Sequence, residues 1–187
     1  MITKTTIKRT GKKSFYNVEA PLTTVTISLY GSSPEEFDGK VITLDMSKNL
    51  RGKALEMRMR VHYHDGKLLA FPLSAKLAGT YIQRSLRRGA DYLEDSFSVS
   101  CKEGKITVKP FMITRKRVSR NVRNALRQEA KKCLEEYIKI RSVKELFSDV
   151  LAGKIQKHLL GKLKKIYPLA FCEIRVFEIN EQASIEK

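Results

Sequence analysis

The chain runs to 187 residues, 42% apolar and 30% charged, which suits one well-buried domain and excludes wholesale disorder. Its 37 Lys and Arg stand against 20 Asp and Glu, a formal +17, and a self-repelling balance of that size points to a polyanionic partner. No apolar run approaches bilayer length, since LLAFPL at 68–73 is strand-sized and broken by Pro72, and MITKTTIKRTGKK has no apolar core of a secretory signal. The expectation is therefore a cytosolic protein facing nucleic acid rather than a membrane.

The first 21 residues read as a basic, irregular arm ending in FYNVEAP, with Phe15, Tyr16 and Val18 as anchors before Pro21. Short strands follow: TVTISL from Thr24, then VITLD after the turn-rich GSSPEEFDG. LEMRMRVH alternates strictly, with Leu55, Met57, Met59 and Val61 on one face and Glu56, Arg58, Arg60 and His62 on the other. Asp65-Gly66 supplies a hairpin turn into KLLAFPL. Between Ser74 and Asp95 the spacing of Leu77, Tyr81, Ile82, Ser85 and Leu86 predicts a helix whose C-terminal turn carries Arg84, Arg87 and Arg88, where positive charge suits the helix dipole. FSVSC and KITVKPFMI flank KEGK as a second hairpin, and Pro110 within it implies a bulge or an edge position.

The C-terminal third is mainly helical. Val122, Leu126, Cys133 and Tyr137 fall on one side of a first helix, and Ser142 to Glu145 spells a capping box. Val143, Leu146, Phe147, Val150 and Leu151 continue the pattern to Gly153, and Ile155, Leu159, Leu163 and Ile166 make a further stripe that Pro168 stops. CEIRVFEI alternates as a final strand before a loose polar tail. The reading is an α+β fold: an antiparallel β-barrel-like or mixed-sheet body with C-terminal helices and a basic N-terminal arm. Its divisions are 1–21 for the arm, 22–180 for a single RNA-binding domain, and 181–187 for the tail.

The stretch RKRVSRNVRNALRQEAKK carries the strongest functional signal. At ~100° per residue, Arg120, Arg123, Arg127 and Lys131 fall within a stripe of roughly 80°, turned away from the Val122, Leu126 and Cys133 face. A solvated helix would interleave acids at i,i+4, yet only Glu129 interrupts the cations. Arg115, Lys116, Arg117, Arg120 and Arg123 gather at the helix N-terminus, where the dipole disfavours them by ~0.3–1 kcal/mol per site and a phosphate would reverse the penalty. KRTGKK, with Lys12 and Lys13, suits threading along a phosphate backbone. Lys154, Lys157, Lys162, Lys164 and Lys165 read as a solvated helix surface. Phe15 and Tyr16 fit either stacking on bases or docking of the arm on the core.

Catalytic and cofactor chemistry is not signalled. GKKS at Gly11 to Ser14 lacks the earlier glycine of a phosphate-binding loop, His62 and His64 have no nearby cysteine, and no Gly-x-Ser-x-Gly occurs. Cys101, Cys133 and Cys172, odd in number and set in apolar patterns, read as small buried hydrophobes in a reducing compartment.

The order of several segments resembles the archaeal and eukaryotic small-subunit ribosomal protein family S-three-Ae, also called eukaryotic-type S-one. FYNVEAP resembles the family's Trp-Tyr-x-Val-x-Ala-Pro with Phe15 for the tryptophan, and TYIQRSLRR resembles its tyrosine-and-arginine helix. CKEGKITVKPFMITRKR is similar to its hairpin, its Lys-Pro pair at Lys109 and Pro110 and its basic cluster after Thr114, while KIYPLAFCEIRVFEI resembles its closing strand. The resemblance implies a non-catalytic constituent of the small subunit, without cofactor. It would bind the 3′ region of small-subunit rRNA on the platform near the mRNA exit, beside neighbouring ribosomal proteins, with mRNA near the exit channel as a further partner. It adds Arg84, Arg87, Arg88 and Lys109 to the RNA-facing candidates. The competing reading is a non-ribosomal RNA chaperone or regulator with the same basic surface.

Overall fold

The computed structural model describes residues 12–23, 25–47, 50 and 52–180. These form nine strands, four α-helices and a 3-10 turn at Pro34–Phe37, a mixed α+β arrangement. The chain divides into two compact units: the described residues of Met1–Ile42 with Met59–Phe71, and those of Thr43–Arg58 with Pro72–Lys187.

In the first unit, β1 (Ser14–Glu19) pairs antiparallel with β2 (Ile27–Gly31), from Ser14 opposite Gly31 to Val18 opposite Ile27. Its far end runs parallel to the start of β5 (Lys67–Leu77), with Val18 opposite Leu68. Val18, Ile27 and Phe37 are buried beneath the hairpin, and Gly31 is needed there because a Cβ would collide with the Phe37 ring. FYNVEAP is thus largely strand rather than irregular chain, because Val18 is buried and the backbone of β1 finds two strand partners. The segments of the arm before Lys12 and of the tail at 181–187 lie outside the described residues.

β4 (Leu55–His64) keeps the alternation read from its sequence: Leu55, Met57, Met59 and Val61 are buried, and Glu56 and Arg58 are exposed. It pairs with β3 (Val41–Asp45) and, through Asp65-Gly66, with β5. Asp65 at φ 48° and Gly66 at φ 79° supply the two left-handed residues that a two-residue hairpin turn matched to strand twist requires.

The second unit is organised on β8 (Gly104–Thr114). One edge of β8 pairs antiparallel with β9 (Leu169–Ile179), from Ile106 opposite Ile179 to Thr114 opposite Leu169. The other edge is shared by β6 (Tyr92–Glu94) and β7 (Phe97–Cys101). Pro110 cannot donate to the ladder, and the register between β8 and β9 shifts at Lys109/Pro110, the bulge that proline imposes on a strand paired on both edges. Ser74–Lys76 of β5 pairs with the free edge of β9.

Helices α2 (Arg120–Lys139), α3 (Val143–Leu151) and α4 (Lys154–Leu163) follow β8. Leu126, Ala130, Cys133, Leu134 and Ile138 make the buried face of α2, Leu146 and Phe147 that of α3, and Ile155, Leu159 and Leu163 that of α4. Phe147 meets Phe177 of β9 edge-to-face at 5.1 Å. The capping box forms as spelled, Ser142 accepting from the Glu145 amide and Glu145 from that of Ser142.

One helix is shorter than its spacing predicts. Ser74 to Leu77 complete β5, held by pairing with β9, and α1 spans only Gly79–Ser85 with no side-chain cap. Arg87 and Arg88 therefore lie past the helix, before the turn at Gly89, and the dipole accounts for Arg84 alone.

Glu94 ties β6 to β9 across β8, its carboxylate accepting from Tyr92 Oη and Arg175 Nη1, each at 2.6 Å. Burial, then the Glu94 hydrogen bond, pushes the Tyr92 hydroxyl up to about 12. Burial pushes the Glu94 carboxyl up too, but the hydrogen bonds from Tyr92 and Arg175 outweigh it and leave the group below its ordinary value. A carboxylate favoured in the folded state stabilises above its unfolded pKa, and that contribution fades as pH falls through the folded one. Urea midpoints followed from neutral pH downward should fall more steeply for the native chain than for Glu94→Gln, which should start lower and decline less.

Candidate nucleic-acid interface

The basic surface of the second unit begins where β8 ends. Thr114, fully buried, closes the strand: its hydroxyl accepts the Asp91 N–H at 2.9 Å and donates to the Lys116 carbonyl at 2.7 Å. Asp91 completes the lock, its Oδ2 accepting the Val118 N–H at 2.9 Å. The five-residue link 115–119 is thereby held at both ends, and Arg115, Lys116 and Arg117, which cannot be buried unpaired, face solvent. Neither Asp91 nor Thr114 carries a periodic signal of its own, and neither was assigned to the interface from sequence.

Arg115 then meets a second basic group from elsewhere in the chain. Arg84, Arg87, Arg88 and Arg115 line one cleft of about 650 Å³, with Thr114 and Phe171 among its walls. Phe171 is half-buried, its ring tilted against Phe111 at 5.3 Å and against Tyr81 at 6.0 Å, so this wall is aromatic. Arg84 Nε is hydrogen-bonded to the Thr80 carbonyl at 3.2 Å. Nothing in the spacing of residues 84–88 and 115 announces that they converge; only the pairing of β8 with β6 and β9 brings them together.

The charge continues along α2. Ser119 occupies the N-cap without a side-chain hydrogen bond, and the first turn holds no acid, so the helix start offers bare amides beside Arg120. Arg120 and Lys131 are exposed, while Arg123 and Arg127 are half-buried, each with an Nε that is buried and meets no acceptor. A buried donor without a partner costs about 1–3 kcal/mol, and neither Nε recovers that cost within the fold. Among the described residues, none of the candidates Arg84, Arg87, Arg88, Lys109, Arg115, Lys116, Arg117, Arg120, Arg123, Arg127 and Lys131 forms an ion pair with a carboxylate. Other cations do: Arg141 and Lys154 share Asp149, Arg175 takes Glu94 and Lys53 takes Glu173.

Two candidates stand apart. Lys109 sits at the β8 bulge and contributes to lowering the Glu94 carboxyl, so its charge is partly engaged by the fold. Lys12 and Lys13 belong to the first unit, exposed at the start of β1.

Among the described residues no cluster of three or more His, Cys, Asp or Glu could hold a metal, and no helix is long and apolar enough to cross a membrane. Cys133 and Cys172 are buried, as their apolar settings imply, and burial raises both thiols, Cys172 to about 12. Neither is a poised nucleophile.

An α+β fold that leaves these arginines without carboxylate partners in a cleft and along one helix has the make-up of a polyanion-binding protein. The model of the Ribosomal S3Ae family matches residues 3–183, and the chain belongs to that family. It is 26% identical over 177 residues to the small ribosomal subunit protein eS1 of Nanoarchaeum equitans, covering 90% of this chain and 89% of the relative. The protein of the same name from Haloarcula marismortui is 24% identical over 180 residues, covering 90% and 83% of the two chains. That of Ignicoccus hospitalis is 27% identical over 175 residues, covering 87% and 81%.

The Thr114–Asp91 lock is open to direct test. Asp91→Ala should lower stability by about 1–2 kcal/mol in urea unfolding and weaken RNA binding several-fold, because the cationic link would have to be ordered on contact.

Proposed function

We propose that this protein is a structural constituent of the small ribosomal subunit, acting in the cytoplasm, and that the cationic surface from Arg84 to Lys131 fastens it to small-subunit rRNA. The site is the platform near the mRNA exit, where the 3′ region of that RNA, neighbouring ribosomal proteins and mRNA in the exit channel are its partners. Membership of the S3Ae family and the names borne by its archaeal relatives support the ribosomal part of this reading. The observation that carries the RNA part is the set of arginines held by the fold without carboxylate partners, above all Arg123 and Arg127, whose Nε atoms find no acceptor.

The mechanism is attachment rather than catalysis. The cleft takes a bend of phosphate backbone among Arg84, Arg87, Arg88 and Arg115, and α2 lays Arg120, Arg123, Arg127 and Lys131 along the continuation of the strand. Guanidinium forks match phosphate oxygens in pairs, so these contacts fix register and orientation on folded RNA while reading its shape more than its sequence.

Replacing Arg120, Arg123 and Arg127 together with Gln should leave circular dichroism unchanged. The slope of log affinity for an rRNA fragment against log salt should become shallower by about 2 to 3, close to one for each phosphate contact removed. An unchanged slope would return the helix to a solvated role. Crosslinks from peptides spanning 115–131 to the 3′ region of small-subunit rRNA would support the placement, and crosslinks scattered over unrelated RNAs would favour a general RNA chaperone.

A further inference from the structure

The hairpin of β1 and β2 has two unlike faces. Inward, Val18 is buried, and Tyr16 packs 5.9 Å from Phe37 with its hydroxyl donating to the Ser32 carbonyl at 3.3 Å. Outward, Phe15 and Tyr30 sit directly opposite one another in the register, 74% and 58% exposed, with ring centroids 4.9 Å apart. Lys13 flanks the rings at one end, its Nζ 6.0 Å from the Tyr30 centroid. At the other end Ser28 donates to Asn17 Oδ1 at 2.9 Å, which leaves the Asn17 amide group to donate outward. Glu19, the next residue on that face, stands 4.0 Å from Lys67. Phe15, one of the two residues for which the sequence allowed either base stacking or docking, is thus turned to solvent, while Tyr16 is docked.

We propose that this face is a stacking platform for unpaired nucleotides of the small-subunit rRNA. Two adjacent exposed rings take successive bases, because every base presents a π-face and aromatic stacking tolerates any sequence. Lys13 lies where the adjoining phosphate falls, and Asn17 and Ser28 can meet a base edge. A single exposed ring would need no explanation; a cross-strand pair bracketed by a cation and an amide, with Glu19 on the same face set 4.0 Å from Lys67, suits nucleic acid in charge as well as in shape. The identity of the RNA rests on the ribosomal reading above, whereas the stacking uses none of the residues of the cleft or of α2.

The chain contains no tryptophan, so Phe15→Trp places a single indole on the platform. Titration of the full-length variant with an unstructured RNA oligonucleotide should quench its emission. Phe15→Leu with Tyr30→Leu, exposed positions where a native circular dichroism spectrum is expected, should lose about tenfold or more in affinity for that oligonucleotide at an unchanged salt slope. The same double variant should keep its affinity for a fully paired RNA hairpin. Absent quenching, or a folded double variant that binds the oligonucleotide as the native chain does, overturns the platform even if the protein sediments with salt-washed small subunits. Quenching and loss of affinity in a protein missing from those subunits would instead sink the ribosomal reading and leave the stacking intact. A photoreactive phenylalanine at position 15 in assembled subunits should crosslink to rRNA, and crosslinks to mRNA or to a neighbouring protein would overturn the assignment.

Discussion

β8 carries hydrogen bonds along both edges, and where it stops decides how the second unit presents its charge. From Ile106 to Thr114 its inward side chains are fully or almost fully buried, flanked by β9 on one edge and by β6 and β7 on the other. The run of three cations that follows cannot enter such an interior, so the chain leaves the sheet at Thr114, and the hydroxyl of that residue with the Asp91 carboxylate sets the direction of departure. The buried stripe of α2 then fixes the rotation of the helix about its own axis, and with it the bearing of Arg120, Arg123 and Arg127. Packing thus dictates where cations stand that themselves contribute little to packing.

The second consequence of the fold is a sorting of charge. Asp149, buried, receives Tyr137, Arg141 and Lys154; Glu173, also buried, receives Lys53; and Glu94 receives Arg175. Ion pairs near the surface stabilise little, so their value here is partly one of arrangement. They commit carboxylates to cations elsewhere and leave the arginines of the cleft and of the basic face of α2 without a carboxylate in ion-pair contact, Asp91 being turned to the Val118 amide. A net +17 makes the chain self-repelling, and the cleft with the basic face of α2 is where part of that charge stands without carboxylate partners.

Local pattern made several elements legible. Strict alternation gave β4, Asp65-Gly66 the turn after it, and Ser142 with Glu145 the start of α3, because each of these is determined by residues within a few positions of one another, whereas Pro110 left a bulge and an edge position open until β8 was seen paired on both sides. What the pattern missed depended on distant partners. The helical spacing from Ser74 onward yielded to strand pairing with β9, and the arm segment around Phe15 became a strand because β2 and β5 lie beside it. Among the interface residues, the stripe on α2 followed from helical geometry alone. The convergence of Arg84, Arg87 and Arg88 with Arg115 did not, nor did the supporting roles of Asp91, Thr114 and Phe171, since each requires knowing which strands are neighbours.

Among the described residues, the cleft is lined by guanidinium groups and by no lysine or histidine. Guanidinium is weakly hydrated and presents its donors in a fixed planar fork, so it exchanges water for phosphate oxygens readily. Under the proposed function its hold on phosphate is loosened by competition, from dissolved salts that shield phosphate or from another polycation that displaces it. Potassium, magnesium and polyamine levels are then the variables to which the proposed attachment answers.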